Sequence, residues 1–357
     1  MQYTGEFRLG NVEAAVDYFT LICLNTDLPG ELGKSQAAVC HEALREFILE
    51  TRDFAKLLGD IRSDGTRIKG VIEQRLKLIN LDDQEEFLKA VTVQAAAVAD
   101  DKGLTADAVL LYHLAEEYDN VVSILNRILS DAVSVPLGEA AIKIEPVKPR
   151  TGGQSSTAAP LEPGCSLSLT SVDDPIVLAK NMISLYNTNA LYYQKIHPTN
   201  REACGLLLRM MEAKSKVEAG QWAPALDVSF SLFSTISLPI VPELTCFQDI
   251  NNLQILPLTA QGSVTYVRST VQAFSSLPPV IARNAGNLVI WSIICINRER
   301  ERMYAGVYEN DMRQTLLDEL VLMAKDLMVF SGMIKYKLPP RVYETLAKAG
   351  GDVGLSL

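Results

Sequence analysis

The sequence predicts an all-α fold of stacked helix pairs, and three observations carry that prediction. Apolar residues recur at helical spacing, most clearly along Met312, Leu316, Leu320, Met323, Leu327, Phe330 and Ile334. Capping residues and prolines fall at helix-length intervals, and alternating runs of strand type are scarce.

Taken in order, Asn11 is placed to cap a helix from Val12 to Leu24, which Pro29-Gly30 closes. Ser35 is placed to cap a long helix to Leu58, ended by Gly59, with Val39, Ala43 and Phe47 on its apolar face. Asp83 and Glu86 have capping-box spacing ahead of a helix from Phe87 to Ala99. Helices from Thr105 to Leu114 and from Glu116 to Val133 follow. Asp174 and Pro175 form an N-cap and first-turn pair, since proline lacks the N–H that a first turn leaves unused. His197-Pro198 is expected to stop that helix, with Thr199 and Glu202 capping the next. Pro224, Pro239, Pro242, Pro257, Pro278-Pro279 and Pro339-Pro340 divide the remainder into helix-sized pieces.

Two segments read as helical hairpins: residues 99–118 around Gly103, and 218–236 around Gly220. In each a helix ends at glycine and a second packs back, which suits a solenoid of helix pairs. A compact helical bundle satisfies the same pattern. Between the helical parts, residues 136–172 are rich in Pro, Gly, Ser and Thr, including Pro146, Pro149, Thr151-Gly152-Gly153 and Pro163-Gly164. Such a stretch buries too little apolar surface to offset the entropy of ordering, so a flexible insertion is expected. The division by composition is 1–135, 136–172 and 173–357.

Composition narrows the function classes. The 357 residues are 48% hydrophobic and 21% charged, with a net charge of −10, which excludes general disorder and lacks the basic footprint of a nucleic-acid binder. Cys23, Cys40, Cys165, Cys204, Cys246 and Cys295 are scattered with no CxxC, so they read as reduced, mostly buried thiols. No basic-then-apolar leader opens the chain. The most apolar window, 277–296, is interrupted by Arg283, Asn284 and Asn287 and is expected to fall short of a membrane span, so a soluble protein is expected. Residues 1–9 carry no helix start before the strong pattern at Asn11. A fragment is therefore expected, with an exposed apolar face beneath Val12, Val16 and Phe19.

Catalytic constellations lose a partner at each attempt. His41-Glu42 begins an HExxH pattern, but position 45 is Arg. His113 lies in a leucine-rich helix and His197 precedes proline. The run Asp82-Asp83-Gln84-Glu85-Glu86 resembles the Mg²⁺-diphosphate site of an all-α lyase or synthase, where carboxylates one turn apart hold metal. The second cluster this requires is nearest at Asp119-Asn120 and Ser123, with Arg127 where its distal acid belongs. Acids at a helix N-terminus also cap free N–H groups and favour the dipole, which explains the run without metal. Arg298-Glu299-Arg300-Glu301-Arg302 alternates in sign and reads as a solvated, internally paired helix end. The aromatics Tyr186, Tyr192, Tyr193, Trp222, Phe230, Phe233 and Trp291 sit in apolar helices, where core packing is the first expectation and lining of a peptide groove the second. No catalytic, cofactor or metal residue is assigned, and the positions of partner-binding residues are left open.

Several stretches, in order, resemble the nucleoporin-interacting-component family: residues 18–25 (YFTLICLN), 110–131 (LLYHLAEEYDNVVSILNRILSD), 182–213, 218–227 (EAGQWAPALD) and 277–291 (LPPVIARNAGNLVIW). The likeness spans nearly the whole chain outside 136–172. It implies a non-catalytic scaffold of the nuclear pore inner ring, with an elongated helical stack of the ancestral coatomer type, holding its return part and tail. It further implies localisation at the nuclear envelope, support of nucleocytoplasmic transport of protein and RNA, and no cofactor. The family's N-terminal recruitment segment has no counterpart here. The partner it implies is a linker nucleoporin with an RNA-recognition-like domain, docking a short peptide on the helical surface. A vesicle-coat or adaptor solenoid is the alternative with the same architecture; the metal-dependent synthase using Asp82–Glu86 is the remote one.

Overall fold

The computed structural model describes residues 5, 10–21, 31–62, 65–75, 84–147, 172–188, 190–220, 255–258, 262–305 and 310–352. Helices dominate them: α1 (Val12–Thr20), α2 (Glu31–Thr51), α3 (Phe54–Leu57), α4 (Val71–Gln74), α5 (Gln84–Asp101), α6 (Thr105–Leu114), α7 (Tyr118–Ser134), α8 (Pro175–Thr188), α9 (Ala190–Gln194) and α10 (Pro198–Glu218). After these come α11 (Val264–Ser275), α12 (Pro279–Ala282), α13 (Ala285–Ala305), α14 (Asn310–Met333) and α15 (Pro340–Asp352). A short antiparallel pair, β1 (Gly59–Ile61) with β2 (Arg67–Lys69), sets Asp60 opposite Ile68. The chain divides into two compact units: Met1–Leu125 with Lys143–His197, and Asn126–Ile142 with Pro198–Leu357.

In the first unit α1 begins as its capping residue dictates, with Asn11 Oδ1 accepting the Ala14 N–H at 3.0 Å. Its apolar stripe faces inward. Val12, Val16 and Phe19 are buried, and the Phe19 ring lies 5.3 Å from Phe47 of α2. The exposed face expected there is therefore not found, because α2 and α4 cover it. The helix after Ser35 also differs from expectation: α2 starts at Glu31, leaving Ser35 within it rather than at its cap. It then breaks at Arg52, whose φ of 53° is left-handed, before α3. Its buried face is Cys40, Leu44, Phe47 and Ile48, while Val39 points outward.

The expected hairpin at Gly103 is present, joining α5 to α6. Gly103 has φ 74°, the Leu104 N–H reaches Ala99 O at 2.9 Å and the Gly103 N–H reaches Asp100 O at 2.9 Å, a glycine-terminated C-cap. Gly70 answers a different need: a Cβ there would stand 2.2 Å from the Leu57 carbonyl oxygen. Helix α8 starts at Pro175, with Asp174 Oδ1 accepting the Ile176 N–H at 2.8 Å. Pro198 opens α10 rather than stopping a helix, and Thr199 lies inside that helix, again using proline's missing N–H.

The second unit is built on α13. Helices α10, α14 and α15 pack against it, and α11 packs on α14 with Phe274 edge-on to Phe330 at 5.7 Å. The stretch Pro279–Ala305 is long and apolar enough to cross a membrane by length and composition, contrary to expectation, yet 72% of its apolar window is buried. Trp291, Ile293, Cys295 and Ile296 belong to the core. The second expected hairpin, with Trp222, Phe230 and Phe233, lies outside the described residues, as do Asp82, Asp83 and Cys23, Cys165 and Cys246.

Candidate docking surface

The residues singled out for chemistry are dispersed. His113 is buried against Tyr186, with Nδ1 3.0 Å from the hydroxyl and the rings stacked at 6°. Tyr118 and Tyr192 complete that cluster, and Lys195 lies over the Tyr118 ring at 5.5 Å. Burial, helped by the positive charge of Arg67, pushes His113 down to about 4, so it packs as a neutral ring. His41 leans on Phe87 with ring centres 4.7 Å apart, and the backbone N–H of His197 donates to Asp119 Oδ1 at 2.8 Å. The three histidines thus lie in separate settings. Asp119, the candidate second acid, is occupied by that backbone bond. Among the described residues no group of three or more His, Cys, Asp or Glu side chains could hold a metal ion. Arg298 pairs with Glu301 at 2.9 Å and Arg302 with Glu299 at 3.6 Å, as their alternating signs predict. Trp291 and Tyr186 are core; Tyr193 is exposed.

What the second unit builds instead is a hydrogen-bonded support and an exposed apolar line. Its support is a buried polar network between α7 and the start of α13. The Ser130 hydroxyl donates to Val280 O at 2.6 Å and accepts from Asn284 Nδ2 at 2.7 Å and Arg283 Nε at 2.5 Å. Asn287 Nδ2 donates to Val133 O at 3.2 Å, and its Oδ1 accepts from Arg341 Nη2 of α15 at 2.6 Å. Nearby, buried Lys214 of α10 donates to Ala132 O at 3.0 Å, a cation at the C-terminal end of α7 where the helix dipole favours it. Burial lowers the Lys214 pKa.

Helix α14 presents two stripes. One is the buried line of Leu316, Leu320, Met323, Leu327, Phe330 and Ile334, as the spacing predicts. The other is Val329 and Met333, beside the buried stripe, with Tyr336 just past the helix, each between 36% and 42% exposed. The chain after α14 is held in place: the Ile334 N–H bonds Phe330 O at 3.0 Å, Leu338 is buried, and Pro340 opens α15, whose Val342, Leu346 and Ala349 are buried. Lys325 lies one turn before Val329, and Lys335 and Lys337 flank Tyr336, all exposed. Asp326 does not offset them. It is turned into the core, where one carboxylate oxygen accepts the Gly262 N–H at 3.2 Å and burial pushes its pKa up. Sequence reasoning stopped at the main stripe; the signal for the second was the i, i+4 spacing of Val329 and Met333.

The comparisons agree with this architecture. The Nup93/Nic96 family model matches residues 1–345. Nucleoporin NIC96 of Chaetomium thermophilum is 45% identical over 352 residues, covering 98% of this chain and 30% of the relative. Nucleoporin NIC96 of Saccharomyces cerevisiae is 33% identical over 344 residues, 96% of this chain and 35% of the relative. Nuclear pore complex protein Nup93 of Danio rerio is 31% identical over 134 residues, 38% of this chain and 14% of that protein. The crystal structure of Chaetomium thermophilum Nic96 SOL superposes with a TM-score of 0.84 at 45% identity, over 98% of this chain and 46% of that one. The chain spans about a third of the length of the two NIC96 relatives. With the match running from the first helices through α14 into α15, the chain belongs to the Nup93/Nic96 family.

Proposed function

We propose that this chain is a non-catalytic helical scaffold segment of the nuclear pore complex, located at the nuclear envelope and binding other nucleoporins. The single observation that carries the reading is the family match over residues 1–345, whose relatives are named nucleoporin and nuclear pore complex protein. As part of a pore scaffold it would support nucleocytoplasmic transport by holding neighbouring subunits together. A fluorescent fusion tests this directly: a nuclear-rim signal supports it, and cytoplasmic puncta without a rim favour the vesicle-coat alternative.

The partner of this reading is an inner-ring linker nucleoporin that docks a short peptide. Val329, Met333 and Tyr336 support placing that peptide at the C-terminal end of α14, because they are large apolar side chains left exposed there. Charged substitutions at Val329 and Met333 would abolish capture of that nucleoporin; unchanged capture would move the site elsewhere. We also propose that the chain is organised as 1–135, 136–172 and 173–357. A contact between its middle and last segments supports it: the Ile144 N–H donates to Asp173 O at 2.9 Å and Lys143 Nζ to Asp173 Oδ2 at 2.9 Å, bringing the chain before and after residues 148–171 together.

A further inference from the structure

We infer that the segment docking on α14 is acidic, with carboxylates beside its apolar anchors. This rests on the docking reading above and adds the chemistry of the occupant. The chain as a whole carries −10, yet residues 325–348 hold five basic side chains and two acidic ones. Of those two, Asp326 is buried and bonded to the Gly262 backbone, and Glu344 is exposed on α15. Of the five, Arg341 is spent on Asn287. Of the other four, Lys348 is exposed on α15, and Lys325, Lys335 and Lys337 are exposed near Val329, Met333 and Tyr336 along the chain, with no ion-pair partner among the described residues.

Apolar anchors supply most of the affinity at such a surface, and flanking charge supplies register, on-rate and discrimination. Three ammonium groups beside Val329, Met333 and Tyr336 penalise a basic amphipathic helix and favour an acidic one. The patch has three large apolar side chains, few enough for one docked segment to cover. A membrane surface would call for a broader apolar area with its lysines at the rim.

The test uses three synthetic amphipathic helical peptides with the same leucine positions and Glu, Gln or Lys at the flanking positions. Binding to the whole chain is read by fluorescence anisotropy at low and raised salt. The Glu peptide is expected to bind about tenfold tighter than the Gln peptide, and the Lys peptide more weakly still. That preference shrinks as salt screens it and reverses in a Lys325→Glu, Lys335→Glu, Lys337→Glu variant. Equal affinity for all three peptides, with loss of binding in Val329→Asp, overturns the acidic assignment alone. Failure of every peptide to bind, or binding indifferent to Val329→Asp, overturns the docking reading beneath it. Tighter retention on phosphatidylserine vesicles than on the Glu peptide overturns the assignment of a peptide. Circular dichroism confirms that each variant is folded.

Discussion

His113 and Tyr186, 73 residues apart, meet in the interior of the first unit, with the imidazole nitrogen 3.0 Å from the phenol oxygen and the rings parallel. The contact ties α6 to α8, and its burial fixes the charge state of the histidine. Because the folded-state pKa lies near 4 and the unfolded value near 6.5, the unfolded chain takes up the proton first as pH falls. The contribution of neutral His113 is therefore complete above pH 6.5, is lost on acidification, and the loss levels off near pH 4. The expected size is about 3 kcal/mol at most. Thermal denaturation between pH 7.5 and 4.5 checks it: wild type loses stability across this window, and His113→Phe flattens the acid slope.

Asn284 makes the second unit's buried network whole, donating to Ser130 Oγ at 2.7 Å and accepting from the Ser134 hydroxyl at 2.8 Å. Asn284→Leu strands buried Ser130 and removes a fully buried amide, and should cost about 2–4 kcal/mol in urea denaturation. Arg298→Ala, which removes a well-exposed pair with Glu301, should move the same midpoint by less than about 0.5 kcal/mol.

Two glycines should respond differently to the same substitution. Gly70→Ala forces a Cβ against the Leu57 carbonyl oxygen and should cost more than about 2 kcal/mol, since backbone must move. Gly103→Ala meets nothing within 4 Å but must hold φ at 74°, so its cost should be about 1 kcal/mol. Chemical denaturation of both variants separates close approach from left-handed backbone.

Much of this fold was legible because its signals are local. Asn11, the Asp174–Pro175 pair and Gly103 each act within one turn, so their residue types announce the helix ends they make. Ser35 misled for the same reason: a capping residue inside a helix looks like one at its start when nothing nearby forbids helix before it. The break at Arg52 was not legible, because arginine carries no preference for left-handed backbone and only the surrounding packing holds it there. Nor was the outward turn of Val39, since the face α2 buries is decided by α1 and α5. The covered face of α1 has the same origin: contact with α2 and α4 is non-local. The exposed line on α14 was half legible. Its spacing can be read from 329, 333 and 336, but its exposure and the inward turn of Asp326 depend on how α11, α13 and α15 surround α14.

The most direct test of the central claim, that this chain is a nucleoporin-binding scaffold presenting α14, is affinity capture from nuclear envelopes with the tagged chain. Wild type is compared with a folded Val329→Asp, Met333→Asp variant. The predicted result is recovery of inner-ring nucleoporins by wild type, with the linker nucleoporin lost from the variant. Recovery of no nucleoporin by a folded wild-type chain would contradict it.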